Sequence, residues 1–149
     1  VGWSHFFADN SYSMAPTTSY VTAIRATLNG QPEGMSGTIR YRVNLSGTGW
    51  LDWQEDGAEA GDSAGTAPLE GIAMELTGDL ETYYEVLYSV LQDSKWTDWV
   101  SDGAEAGTVG AGLRVDGVRI SVVKRTGDTV YAGNIDPNRP MVALTYDEL

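Results

Sequence analysis

Hydrophobic and polar side chains alternate along residues 38–45, where every second position from Ile39 to Leu45 is apolar. A period of two predicts a β-strand with one buried face. Residues 69–76 show the same alternation and predict a second strand. Between them, a short strand beginning at Gly49-Trp50 is predicted to end at Asp56-Gly57, a pair typical of type I′ hairpin turns. The unit is therefore predicted to contain three strands.

This unit recurs along the chain. Residues 50–61 return as residues 96–107 at an offset of 46, with nine of twelve positions identical. Upstream, Tyr41 and Val43 correspond to Tyr88 and Val90 at an offset of 47. Self-similarity at a fixed period of this size is typical of repeat architectures. We interpret the two segments as a duplication.

A third, more divergent copy is predicted at the N-terminus, where Trp3, Phe6 and Asp9 fall 47 residues before Trp50 and its neighbours. This copy lacks the first strand of the unit, because the sequence begins at its tryptophan. The apolar run of residues 141–146 is predicted to supply that strand.

The predicted fold is therefore all-β, with three pseudo-symmetric repeats of about 46 residues closed about a threefold axis. A β-prism is the preferred architecture, and a β-trefoil is the alternative. The predicted boundaries of the repeats are 1–34, 35–80 and 81–127, all within one domain of residues 1–132. Residues 133–149 are predicted to be a linker followed by a segment that either begins another domain or closes this one.

One segment also fits a helix. Leu80, Tyr83, Tyr84, Leu87 and Leu91 lie at helical spacing. The repeat favours a strand here, because residues 85–91 align with a strand of the preceding copy. A helical turn near Leu80–Tyr84 stays open as an alternative.

Composition excludes several classes of function. The chain has no cysteine, which removes disulfides, cysteine-rich zinc sites and thiol nucleophiles. Its single histidine, His5, leaves no pair of imidazoles for a metal site or a second base. A net charge of −12 argues against binding of nucleic acid or anionic membranes, and no apolar run is long enough to cross a bilayer. We predict neither a cofactor nor an enzymatic activity.

The repeated tryptophans suggest carbohydrate binding, because indole faces stack on sugar rings while nearby carboxylates accept hydrogen bonds from hydroxyls. The candidate residues are Trp53, Trp99, Asp52 and Asp98. Residues three apart in a regular strand face opposite sides, so one tryptophan of each pair is expected in the core. A core position for all the tryptophans is the alternative.

The repeated acids Asp56, Glu59, Asp102 and Glu105 have the oxygen ligands that calcium prefers. Turn formation explains the two Asp-Gly pairs without an ion, so no metal site is predicted. Asp52 and Glu55 are a conceivable carboxylate pair for glycoside hydrolysis, but repetition argues against it, because active sites are seldom copied together with a scaffold.

The repeated motifs resemble the ChW family, the clostridial hydrophobic repeats with a characteristic tryptophan. The resemblance rests on a Gly-Trp, a Trp-x-x-Asp-Gly turn, an Ala-Gly step and an apolar strand, with Gly71 and Gly117 where the family usually has alanine and Lys95 where it has glycine. It implies a secreted or cell-surface module of a Gram-positive bacterium that binds polysaccharide. The alternative is an adhesion module that binds a protein and has no affinity for sugars.

A second resemblance lies at the end of the chain. Residues 139–147 are similar to the opening strand of polysaccharide deacetylases, whose motif reads VALTFDDGP. Asp147 matches the first aspartate, the catalytic base of that family, whereas Glu148 stands where the second aspartate, a metal ligand, belongs. The resemblance implies that a deacetylase domain begins after the proline-bounded residues 136–140. A closing strand of the repeat domain is the alternative.

Overall fold

A computed structural model of the chain describes residues 2–3, 7–8, 12–14, 20–125 and 141–148. The predictions for His5, Phe6, Asp9 and the linker at 133–140 lie outside these residues. The elements are β1 (Gly2–Trp3), β2 (Phe7–Ala8), β3 (Tyr12–Met14), β4 (Val21–Asn29), β5 (Ile39–Leu45), β6 (Gly49–Trp50), β7 (Gln54–Glu55), β8 (Ala60–Gly61), β9 (Leu69–Leu76), α1 (Gly78–Tyr83), β10 (Tyr84–Gln92), β11 (Lys95–Trp96), β12 (Val100–Ser101), β13 (Gly117–Lys124) and β14 (Met141–Glu148).

The described residues form three sheets, and each is built on one long antiparallel pair. The pairs are β5 with β9, β10 with β13, and β14 with β4. Short strands extend each pair at its edges. The all-β class predicted from the alternating pattern is confirmed, and the predicted strand at residues 69–76 has the bounds of β9.

The C-terminal strand β14 pairs with β4 from Met141 opposite Asn29 to Glu148 opposite Val21. This is the pairing predicted for the first strand that the N-terminal repeat lacks. The alternation of apolar side chains in residues 141–146 explains it, since Val142, Leu144 and Tyr146 are all buried.

The alternative of a helical turn near Leu80 is confirmed, because a short helix, α1, lies there. α1 ends at Tyr83, and β10 begins at Tyr84, so the segment contains a helix followed by the strand that the repeat predicts. Leu80 is the buried residue of α1. In the part of the chain that the structure describes, no helix is long and apolar enough to span a membrane.

The Asp56-Gly57 turn has the predicted backbone signs, with φ of 49° and 88°, but it does not close a hairpin. β7 pairs with β5 before the turn, whereas β8 pairs with β4 of the N-terminal repeat after it. The Gly57 amide also donates to the Ala26 carbonyl of β4 at 2.8 Å. The turn therefore carries the chain from its own sheet onto a neighbouring one.

All three sheets contribute to one hydrophobic core. Its largest fully buried side chains are Tyr41 and Tyr88, which occupy equivalent positions in two repeats and donate their hydroxyls to the Ala58 and Ala104 carbonyls. These bonds fasten the loop after each Asp-Gly turn to the core. The described tryptophan side chains lie outside this core.

Candidate functional site

An extra residue places both tryptophans of the second repeat on one face of their sheet. Trp50 pairs with Asn44, and Gln54 pairs with Tyr41, so residues 51–53 lie opposite only residues 42 and 43. Such a bulge reverses the alternation of side chains beyond it. The prediction that residues three apart face opposite sides is therefore wrong here, because the segment between the rings is not a regular strand.

The Arg42 side chain shows the common face directly. Its guanidinium carbon lies 4.7 Å from the centroid of the Trp50 ring and 5.1 Å from that of Trp53. Arg40, two residues earlier on the same strand, lies 4.5 Å from the Trp53 centroid. Separations of this size allow cation–π attraction, which holds a ring in one orientation.

The third repeat contains the same arrangement. Trp96 pairs with Leu91 and Val100 pairs with Tyr88, which again leaves three residues opposite two. The Arg119 guanidinium carbon lies 4.8 Å from the Trp96 centroid and 4.4 Å from the Trp99 centroid. The bulge and the shared cation are thus features of both repeats.

The two repeats supply this cation from opposite strands. Arg42 of β5 is paired with Ala73 of β9, whereas in the third repeat Ser89 of β10 is paired with Arg119 of β13. One arginine therefore occupies the same cross-strand pair in each sheet. The sequence reasoning missed these arginines because it compared equivalent positions along the chain, and the signal lies between paired strands.

Carboxylates surround the arginines of the second repeat. Arg40 Nε lies 2.9 Å from Glu75 Oε1, and Arg42 Nη2 lies 3.4 Å from Glu105 Oε2 of the third repeat. Arg119 has no carboxylate at ion-pair distance among the described residues and donates from Nη2 to the Thr97 carbonyl at 3.4 Å. Burial lowers the pKa of Arg119 from its ordinary value.

The predicted binding residues are accessible. Trp99 is exposed at 38 %, and Asp52 and Asp98 are exposed as well. Trp53 is half-buried. The expectation that one tryptophan of each pair lies in the core is wrong, because Trp50 and Trp96 are also only half-buried and none of the four rings belongs to the core cluster.

A shallow pocket adjoins Trp53 and is lined by Arg40, Gln54 and Glu55. Thr38 Oγ1 donates to Glu55 Oε2 at 3.1 Å and so restrains that carboxylate. The pocket contains an aromatic ring, a cation and an anion within one small surface. The sequence reasoning considered Glu55 only as one of a pair of hydrolytic carboxylates and did not place Arg40 or Gln54 at the site.

Three of the four acids considered for calcium, Glu59, Asp102 and Glu105, have other partners. Asp102 Oδ2 lies 2.6 Å from Arg125 Nη2, and Glu105 pairs with Arg42. Glu59 accepts hydrogen bonds from the amide and hydroxyl of Ser63 at 2.9 and 2.8 Å. Within the residues that the structure describes, no group of three or more metal-ligating side chains is present.

Asp147 lies within the repeat domain. Its carboxylate is 4 % exposed, and its Oδ2 accepts a hydrogen bond of 2.6 Å from Thr22 Oγ1 on β4. The Thr22 hydroxyl also lies 3.3 Å from the Asp147 carbonyl. In this position the aspartate joins β14 to β4.

The fold and this surface place the chain in the class of all-β repeat proteins, with paired tryptophans displayed on its sheets. The family model described as "ChW: Clostridial hydrophobic W" matches residues 44–78 and 91–124. These two segments are therefore ChW repeats. ChW repeats form a non-catalytic family that occurs in Gram-positive bacteria, and the match indicates a cell-surface repeat module. Comparisons with curated proteins and with solved structures returned no match.

Proposed function

We propose that the chain is a non-catalytic, secreted or cell-surface module that binds polysaccharide on its tryptophan surfaces, with Trp53 and Trp99 as the candidate rings. The observation that carries this proposal is the arginine between two indoles in both repeats. Both repeats place an arginine between two tryptophans, although the arginine comes from a different strand in each repeat. This recurrence indicates that the orientation of the rings is required, rather than an arginine at one particular position.

The arrangement suits sugar binding physically. A guanidinium group over an indole fixes the ring before a ligand arrives, so less side-chain freedom is lost on binding. The exposed carboxylates of Asp52 and Asp98, each next to a ring, are able to accept hydrogen bonds from hydroxyl groups.

We also propose that the three repeats are related by a pseudo-threefold axis, in a β-prism-like arrangement. Three backbone pairings between repeats support this: Ala60 with Ile24, Ala106 with Ile72, and Ser13 with Val118. Each pairing joins the segment after the tryptophans of one repeat to the last long strand of another repeat. The second repeat pairs with the first, the third with the second, and the first with the third, so the order is cyclic.

Attachment to a polysaccharide deacetylase is a further proposal. The family resemblance at residues 139–147 supports it. The buried bond between Asp147 and Thr22 instead supports a closing strand, because it uses the carboxylate that the catalytic base would need free.

A glycan array that includes peptidoglycan, chitin and xylan tests the sugar proposal. We expect wild-type binding to be lost when Trp53→Ala and Trp99→Ala are combined. Tyr83→Ala is the matched control, because Tyr83 is an exposed aromatic residue on α1 with an exposed fraction of 52 %. Circular dichroism verifies folding of each variant. Binding that survives the double substitution would contradict the proposal.

The second candidate is an adhesion module that binds a protein. Trp99 and Val109, exposed at 38 % and 39 %, favour it, because exposed aromatic and apolar side chains anchor protein interfaces. A folded wild-type chain that binds no glycan but retains a protein partner through Trp99 would support this candidate.

A further inference from the structure

Resting on the proposed function, we propose that the sugar is bound by one repeat, in the Trp53 pocket of the second repeat, and that this pocket selects an uncharged glycan. Trp99 of the third repeat is not an equivalent sugar site. The reason is that the two repeats share their rings but differ in the polar side chains beside them.

The Trp53 pocket offers both kinds of hydrogen-bonding group. Arg40 and Glu55 are cross-strand partners, so they lie on the same face of the sheet at the edge of Trp53. Arg40 presents only donors and the Glu55 carboxylate only acceptors. A sugar hydroxyl both donates and accepts, so a ring stacked at Trp53 would find a partner for each function.

The third repeat lacks this donor–acceptor pair. The position of Arg40 is taken by Leu87 and that of Glu55 by Ser101, which are partners in the same register. Leu87 provides no hydrogen bond, and Ser101 provides one short hydroxyl group. Trp99 therefore has an accessible ring without the cross-strand pair of donor and acceptor that Arg40 and Glu55 form beside Trp53.

The charges around the Trp53 pocket exclude an acidic glycan. Glu75 and Glu105 already neutralise Arg40 and Arg42 at 2.9 and 3.4 Å. Glu55 then adds an exposed negative charge within the pocket. A uronic acid would meet repulsion here, reinforced by the net charge of −12 on the whole chain.

Isothermal titration calorimetry with defined probes tests this inference. The neutral probes are the hexamers of chitin, cellulose and xylan, and the acidic probe is hexagalacturonic acid. We expect one site per chain for a neutral hexamer and none for the acidic one. Trp53→Ala and Arg40→Leu should each weaken binding about tenfold or more, since loss of a charged hydrogen bond contributes on that scale. Trp99→Ala should leave affinity within about twofold.

The matched exchange between repeats sharpens the test. Arg40→Leu combined with Glu55→Ser gives the second repeat the residues of the third and should abolish binding. Leu87→Arg combined with Ser101→Glu makes the reverse change and should raise the stoichiometry towards two sites. Thermal unfolding verifies that each variant is folded.

The outcomes separate this inference from the proposed function. Loss of binding with Trp99→Ala but not with Trp53→Ala would overturn the inference and leave a carbohydrate module. Equal affinity for hexagalacturonic acid would overturn the selection of uncharged glycans. A folded wild-type chain that binds none of the probes or array glycans would overturn the proposed function, and the inference with it.

Discussion

Substitution of Gly107 by alanine tests how the repeats are held together. Gly107 follows the buried Ala106 and has φ +108°, and an added Cβ would lie 2.6 Å from the Glu70 carbonyl oxygen of the second repeat. Real Cβ atoms do not approach oxygen so closely, so the backbone of one repeat would have to move away from the other. Gly110 in the same loop provides the matched control, because it has φ +78° and its added Cβ would meet nothing within 4 Å.

The two variants differ in one energetic contribution. Both place an alanine in the left-handed region, which costs roughly 1–2 kcal/mol. Only Gly107→Ala also forces a methyl group into a packed contact, which adds about 1–3 kcal/mol. We therefore expect Gly107→Ala to lower the free energy of unfolding by about 2–5 kcal/mol and Gly110→Ala by about 1–2 kcal/mol.

Urea unfolding followed by tryptophan fluorescence measures both values. With a urea dependence of about 1–3 kcal/mol per molar, the Gly107→Ala midpoint should fall by about 1 M or more. Equal losses in the two variants would refute the reasoning, because they would show that the contact with the second repeat contributes nothing beyond backbone conformation.

The same unfolding measurement checks three further predictions. Gly71→Ala brings a methyl group within 3.0 Å of Val109 Cγ1 and should cost about 1–3 kcal/mol, partly restored by Val109→Ala. Burial raises the pKa of Tyr88 to about 12, above its ordinary 10.0, so stability present below pH 10 should decline as the pH rises towards 12. Tyr88→Phe should lose about 1 kcal/mol at pH 7 and flatten that decline, and an unchanged alkaline slope would contradict it. Thr22→Val deprives the buried Asp147 carboxylate of a donor and should cost about 2 kcal/mol, whereas Thr22→Ser, which keeps the hydroxyl, should cost much less.

The long strands could be predicted from the sequence because burial imposes their pattern. A strand with one buried face must alternate, and Ile72, Met74 and Leu76 in β9 do so where the strand was predicted. The pairing of β14 with β4 followed from the same argument, since the N-terminal repeat needed a first strand. These features depend on apolar side chains whose positions can be read directly along the chain.

The bulge could not be predicted in this way. Residues 51–53 contain an apolar, a charged and an aromatic side chain, and this mixture fits a regular strand as well as an irregular one. Whether three residues lie opposite two depends on the hydrogen bonds of the partner strand, such as that from the Leu51 amide to the Val43 carbonyl at 3.0 Å. A single extra residue places Trp53 on the same face as Trp50, where a regular strand would place it on the opposite face.

The identical residues of the two repeats are therefore not enough to predict the candidate site. The tryptophans and the Asp-Gly turns are identical in the two repeats, and both Asp-Gly pairs adopt positive φ in the turn. The side chains beside the rings lie on paired strands and have no such role in the turn, so Arg40 and Glu55 in one repeat are Leu87 and Ser101 in the other. The residues that the two repeats share build two similar platforms, and under our proposal the cross-strand residues that differ decide which platform binds a hydroxyl-rich ligand.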